Sequence, residues 1–249
     1  MPVFASLLAA SAALRVASLD LCADEYLLLL ARPAEIASVS RVAQDPADSV
    51  MWRSARHYPA NRRELASVIA TRPTLLLSTS GGGRATSLIG EGLGMRSVVL
   101  GYPASIAEVE QRMVQVATAL GDPGRADEWR RRLARIKMRA LPQRDTIFLG
   151  GGGNSITAGS LGAQWMALAG YRQRSLPGGR ATLETLATSP PQIVLRSTYR
   201  RNQPSLGQRW LDHPLARRSA ARTIETDGRP WTCSGPLMVQ EIERLQRLR

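Results

Sequence analysis

Two cysteines, two histidines, a handful of loop aromatics and a heavy load of arginine are the residues of this 249-residue chain whose chemistry could define a site. The histidines, His57 and His213, lie far apart in sequence. His213 precedes a proline in Leu211-Asp-His-Pro214, which reads as loop punctuation. A bare zinc or manganese site wants several His and carboxylate ligands together, so any metal this chain handles is expected to arrive already chelated. A Ser-His-acid triad fails on the same shortage: Ser80 has no nucleophile-elbow context, and neither histidine has a recognisable acid partner. No catalysed reaction and no cofactor are expected. The glycine runs Gly81-Gly82-Gly83 and Gly150 to Gly153 could be read as phosphate cradles, but their motifs are incomplete. The first lacks the Lys-Ser/Thr of a P-loop, and neither completes the spaced dinucleotide fingerprint. They read as tight loops at strand ends.

Trp52, Tyr58, Tyr102, Tyr199 and Trp231 all fall in predicted loops. One loop aromatic is most often a packing plug. Several in loops that gather at strand ends present faces suited to a flat or greasy ligand. Arg41, Arg196 and Arg200 lie near the same loops and suit carboxylate or phosphate groups.

The net charge of +13 comes almost wholly from arginine, with Lys137 the single lysine. The arginines recur from Arg15 to Arg249 rather than on one stretch, aromatics are 5%, and no nucleic-acid motif is present, so nucleic-acid binding is not expected. Dispersed positive charge instead steers small anionic ligands weakly. No run reaches the roughly 18 apolar residues of a membrane span. Residues 1–13, with Pro2 to Leu14 apolar and rich in small side chains, read as a partial signal peptide cleaved near Ala13, lacking its basic n-region. Export to an oxidising compartment follows from that reading.

Short apolar strands are predicted at Val16 to Leu19, Ile36 to Val39, Thr74 to Ser78, Arg96 to Leu100, Thr146 to Leu149, Gln192 to Leu195 and Arg222 to Thr226. Helices are predicted at Asp24 to Ala31, Arg84 to Leu93, Ile106 to Leu120, Arg125 to Ala140, Leu161 to Ala169 and Met238 to Leu248. Leu21-Cys22-Ala23 reads as a turn, and Arg41 to Asn61 as a long irregular segment of the kind that is usually functional or mobile. One phrase occurs twice. Leu65 to Thr79 and Leu183 to Leu195 each run a short helix into a proline and then into a strand. Alternating strands and helices predict an α/β fold with mostly parallel sheets, binding ligand beyond the carboxyl ends of the strands.

The order of Arg15 to Leu30, the phrases ending at Pro73 and Pro190, Ser105 to Gly121 and Trp231 to Leu245 resembles the periplasmic substrate-binding proteins of metal-chelate ABC importers, the group with a rigid interlobe helix that includes vitamin B12 and iron–siderophore binders. The resemblance covers residues 15–249; Thr74, where the family commonly has aspartate, and the arginine excess depart from it. It implies two α/β lobes, residues 14–104 and 142–249, joined by a long interlobe helical connector at 105–141, with the ligand cleft between the lobes. It also implies a periplasmic, monomeric receptor that captures an iron–siderophore or a corrinoid such as cobalamin and delivers it to a membrane permease. A cytosolic α/β nucleotide-binding protein or enzyme using the glycine-rich loops is the competing reading.

Under the resemblance the ligand residues are Cys22, Arg41, Trp52, Tyr58, Ser80, Gly81, Tyr102, Asn154, Arg196, Tyr199, Arg200, Trp231 and Cys233. Glu64 and Glu184, each near the start of a helix–proline–strand phrase, would meet arginines of the permease; first-turn carboxylates complementing a helix dipole are the plainer reading. Cys22 and Cys233 are expected close together, because the resemblance places both loops on the cleft. An interlobe disulfide, two ligand-lining thiols, and two unrelated buried residues all remain open.

Overall fold

The structure is a computed structural model describing residues 13–79, 83–217 and 222–248. Ser80, Gly81 and the expected signal segment, apart from residue 13, lie outside the described residues. The first lobe holds five parallel strands, β1 (Val16–Ser18), β2 (Ile36–Ser40), β3 (Ala60–Asn61), β4 (Leu75–Ser78) and β5 (Arg96–Val99), in the order β3-β2-β1-β4-β5. Parallel neighbours need crossovers. Here α1 (Leu21–Leu30), α2 (Trp52–Ala55), α3 (Leu65–Ile69) and α4 (Arg84–Gly92) lie along them. Helices α5 (Ile106–Ala119) and α6 (Asp127–Met138) lead to the second lobe. Its strands β6 (Arg144–Leu149), β7 (Tyr171–Gln173), β8 (Ile193–Ser197) and β9 (Arg222–Thr226) pair in parallel in the order β7-β6-β8-β9. Between them run α7 (Leu161–Leu168), α8 (Leu183–Thr188), α9 (Leu206–Leu211) and α10 (Pro214–Arg217), and after them α11 (Arg229–Cys233) and α12 (Met238–Arg247). The two-lobed α/β architecture expected from the sequence is present.

Every residue of β1, β2 and β4 is buried, as strands sandwiched by helices on both faces must be. The main core does not stop at the lobe boundary. Tyr26 and Leu27 of α1, Val109 and Met113 of α5, Leu133 of α6, Trp165 of α7 and Ile242 of α12 belong to one continuous apolar cluster. Each such side chain contributes about 1.5–3 kcal/mol on burial, so separating the lobes along this seam would cost many times the thermal energy.

The connector breaks where its glycines and proline place the break. Gly121 takes φ 85° and Pro123 opens the following turn. Glu110 of α5 reaches Arg130 at 3.1 Å and Lys137 at 3.5 Å on α6, so the two helices fold back on one another. That pairing and Glu128 occupy much of the arginine-rich run.

Local differences from expectation have local causes. Helix α1 begins at Leu21, not Asp24, because Asp20 Oδ1 accepts the Ala23 N–H at 3.0 Å and caps it. Cys22 therefore sits on a helical first turn rather than in a loop. Trp52 opens α2 and Trp231 lies in α11, so neither is a loop residue. The segment from Arg41 to Asn61 carries a 3₁₀ turn, α2 and β3. Strand β7 and helices α9 and α10 are too short to announce themselves by periodicity.

Gly153 holds the turn after β6 at φ 80°, and a Cβ there would stand 2.3 Å from the Ala181 carbonyl oxygen. Both atoms are backbone-fixed, so Gly153→Ala is expected to destabilise by at least about 2 kcal/mol. A urea-unfolding midpoint equal to that of the parent would contradict this.

Candidate functional site: the interlobe cleft

Asp20, just past β1, braces the floor of the cleft. Its Oδ2 accepts the Thr79 N–H at 2.7 Å and its Oδ1 accepts the Thr79 hydroxyl at 2.9 Å, tying the β1 and β4 loops together. Buried Asn61 donates through Nδ2 to the Ser18 carbonyl at 2.8 Å and to Ser38 Oγ at 3.0 Å. Asp24 accepts the Ser40 N–H at 3.0 Å and its hydroxyl at 2.5 Å, fixing the end of β2. Burial pushes Asp24 up to about 7. Burial also raises Glu25 well above the carboxylate range, with the Asp24 charge adding to it.

Above this floor lie three adjoining hollows. One of about 660 Å³ is lined by Ser40, Arg41, Asp48, Arg56, Asn61, Arg62 and Arg63 of the first lobe, among others. A second, about 230 Å³, shares Ser40, Val42 and Arg63 with it and adds Asp20, Cys22, Thr79, Tyr102 and, from the second lobe, Thr232. The third, about 330 Å³, joins Pro46 and Ala47 to Tyr199, Arg200, Arg201 and Arg229 across the seam.

The lobes are fastened along these hollows. Cys22 and Cys233 form a disulfide with Cα atoms 5.4 Å apart, bonding the start of α1 to the end of α11. Asp48 accepts from the Tyr199 hydroxyl at 2.7 Å and the Arg200 guanidinium at 2.6 Å. Its own desolvation is outweighed by these two donors, which hold the carboxyl below its ordinary value. Arg229 donates to the carbonyls of Pro46 at 2.9 Å and Ser49 at 3.2 Å. The Tyr199–Asp48 hydrogen bond alone is worth about 1 kcal/mol. Asp48→Ala is therefore expected to raise amide exchange severalfold across residues 45–50 while leaving β6–β9 protected. Unchanged exchange in that segment would show that the latch carries no local stability.

The expected site residues separate into groups. Cys22, Arg41 and Tyr102 line the hollows of the first lobe, and Tyr199 and Arg200 line the one across the seam. Tyr102 is 61% exposed, an unusual position for an aromatic ring. Trp52 stands beside the larger hollow with the Arg53 and Arg56 guanidinia over its ring at 4.4 and 4.5 Å. Trp231 is 9% exposed, packs at a tilt against Phe148 with ring centroids 5.1 Å apart, and donates its indole N–H to Thr226 Oγ1 at 2.8 Å. It lines none of the three hollows, because its helix turns the ring into the seam. Tyr58 packs on the core, Asn154 bridges to Arg180, and Arg196 pairs with Asp212 at 2.9 Å. Cys233 completes the disulfide. Glu64 and Glu184 are exposed, one at the start of α3 and one in the first turn of α8, and neither forms an ion pair among the described residues. Sequence reasoning missed Asp48, Arg56, Arg62 and Arg63. The Arg62-Arg63 pair closing the irregular segment was the available signal.

Solved structures share this fold. A periplasmic heme-binding protein from Pseudomonas aeruginosa is similar at 21% identity and a TM-score of 0.70, over 94% of this chain and 91% of that one. The siderophore-binding protein BauB, solved with two acinetobactin molecules and ferric iron, is similar at 15% identity and a TM-score of 0.69, over 94% and 91%. The vitamin B12 binding protein BtuF of Vibrio cholerae gives 13% identity and a TM-score of 0.62, over 94% and 95%. No protein-family profile matches the chain, and no curated protein does. The fold is that of the two-lobed periplasmic binding proteins, among them these heme-, siderophore- and vitamin B12-binding proteins.

Proposed function

We propose that this chain is an extracytoplasmic, non-enzymatic receptor of an ABC importer that captures a metal chelate and delivers it to a membrane permease. The observation that carries the reading is the chain of hollows running from the first lobe across the fastened seam to the second, in a fold shared along nearly the whole chain with chelate-binding proteins. Arg41 and Tyr102 would meet the ligand from the first lobe and Tyr199 from the second. Ser80 and Gly81, outside the described residues, are retained as proposed ligand residues. Iron–siderophores and corrinoids are both candidate cargo. Glu64 and Glu184, one exposed carboxylate per lobe, are assigned to permease docking.

Thermal unfolding of the purified protein with hemin, ferric siderophores and cobalamins tests this reading. A chelate at about 100 times its Kd should stabilise by about 2.7 kcal/mol, raising the midpoint by roughly 5–10 °C. Stabilisation by nucleotides with no response to any chelate would overturn the proposal. Glu64→Arg with Glu184→Arg should abolish uptake and leave chelate binding intact; normal transport by that variant would remove the docking assignment.

A further inference from the structure

The charge along the cleft is one-sided. In the second lobe, every arginine that lines the third hollow is neutralised by a carboxylate: Arg200 by Asp48 at 2.6 Å, Arg229 by Asp227 at 2.6 Å, and Arg201 by Glu225. In the first lobe, Arg41, Arg56, Arg62 and Arg63 line the largest hollow and are exposed, and among the described residues none of the four forms an ion pair. Among the described residues, neither carboxylate of that hollow forms an ion pair with them. Asp48 is engaged across the seam, and Asp45 Oδ1 accepts the Ala47 N–H at 2.8 Å.

Two of the first-lobe arginines are also held in place, one at its side chain and one at its backbone. Arg56 lies over the Trp52 ring, a cation–π contact. Arg63 takes φ 68°, a left-handed conformation that is unfavourable for a residue with a side chain. It is kept there because its N–H donates to Asn61 Oδ1 at 3.1 Å and its carbonyl accepts the Thr86 hydroxyl at 2.6 Å. Unpaired guanidinia presented by a braced backbone are a receptor for carboxylate or phosphate oxygens, which they can take two at a time.

We infer that the cargo is a chelate carrying its anionic groups on one edge, seated with that edge on Arg41, Arg56, Arg62 and Arg63 and its uncharged body toward the neutralised second-lobe wall. This rests on the receptor reading and narrows it. A ferric tris-catecholate spreads its negative charge over its whole surface and would leave part of it facing a wall with no free cation. A corrinoid with a largely amide periphery gives the four arginines little to neutralise. Ferric protoporphyrin, with two propionates side by side on one edge of an apolar disc, has the required distribution.

The test titrates the disulfide-bonded protein with ferric protoporphyrin IX, its dimethyl ester, ferric enterobactin and cyanocobalamin. The free acid should bind at least about tenfold tighter than the ester, the scale set by charge-assisted hydrogen bonds. It should also lose that advantage as salt is raised. Arg62→Gln with Arg63→Gln, and separately Arg41→Gln with Arg56→Gln, should each weaken the free acid about tenfold and leave the ester unchanged. Arg131→Gln on α6 should change neither. Thermal midpoints of the unliganded variants, matched to the parent, establish that they are folded. Equal affinity for acid and ester, tighter binding of enterobactin or cobalamin, or full affinity in both arginine pairs overturns the one-edge inference and leaves the receptor reading standing. Failure of every chelate to bind overturns both.

Discussion

Reduction of the Cys22–Cys233 bridge is expected to lower the stability of the protein by about 4–5 kcal/mol. The two cysteines are 211 residues apart in sequence, so in the unfolded chain the bridge closes a loop over most of its length and removes the independent freedom of that loop's ends. The chain-entropy model gives a stabilisation of that order for so long a loop. In a chain of this length it corresponds to roughly 10–15 °C in the thermal midpoint. The location adds a local effect. Cys22 is on the first turn of α1 beside the cleft, and Cys233 ends α11, whose Trp231 packs on Phe148. Without the bridge, amide exchange should rise first at the start of α1 and along residues 229–237. The outer cluster of the second lobe, around Ile147, Leu149 and Val194, should stay protected. Cys22→Ser with Cys233→Ser should behave as the reduced protein does. A melting midpoint that does not move after full reduction, verified by titrating two thiols, would show that packing alone holds the seam.

Stability should also fall as pH rises from about 5 to 8, the reverse of the trend set by ordinary carboxylates. Burial raises Asp24 from 3.8 to about 7, and burial and the Asp24 charge raise Glu25 above its ordinary 4.5. A carboxyl whose folded value lies above its unfolded value binds its proton more tightly in the folded state. Its favourable contribution is complete below the unfolded value near pH 4 and is lost as pH climbs through about 7. For Asp24 the loss is on the order of 4 kcal/mol. Carboxyls held low work in the opposite sense. Glu35, beside Arg125, and Glu243, beside Arg132, contribute above about pH 4 and cease to do so as they are protonated. The two sets together place maximal stability near the unfolded carboxyl values, at about pH 4. Asp24→Asn removes the larger titration while keeping an acceptor for the Ser40 N–H, so it should flatten the fall between pH 5 and 8. Urea-unfolding midpoints across that range decide the matter. A parent protein whose stability is flat or rising from pH 5 to 8 would refute it.

The asymmetric cleft could not be read from composition, although its ingredients were visible. The +13 charge appears in sequence as arginines scattered over the whole chain. Which of them are free depends on partners distant in sequence. Asp48 reaches Arg200 across 152 residues, and Arg125 finds Glu35 across 90. The same distance effect misplaced Trp231. Its neighbours in sequence, Pro230 and Thr232, give no helical periodicity, and only the packing against Phe148 and Thr226 turns the ring inward.

What the sequence by itself determined was everything carried by short-range pattern. Apolar strand runs, the repeated helix–proline–strand phrase and the glycine–proline break at 121–124 were enough to define an α/β fold with mostly parallel sheets, and their order carried the resemblance that implied two lobes and a helical connector. Proline and glycine act within a residue or two of their own position, and the apolar period follows from burial of each element on its own, so both are legible without knowing the partners. What only the tertiary structure decided was the seam. The Cys22–Cys233 bond, the Asp48 latch, the shared core and the contrast between free and paired arginines all join residues that are far apart in the chain. A residue's type offers the charge, the thiol or the ring, and its use depends on the group that folding brings within a few ångströms of it.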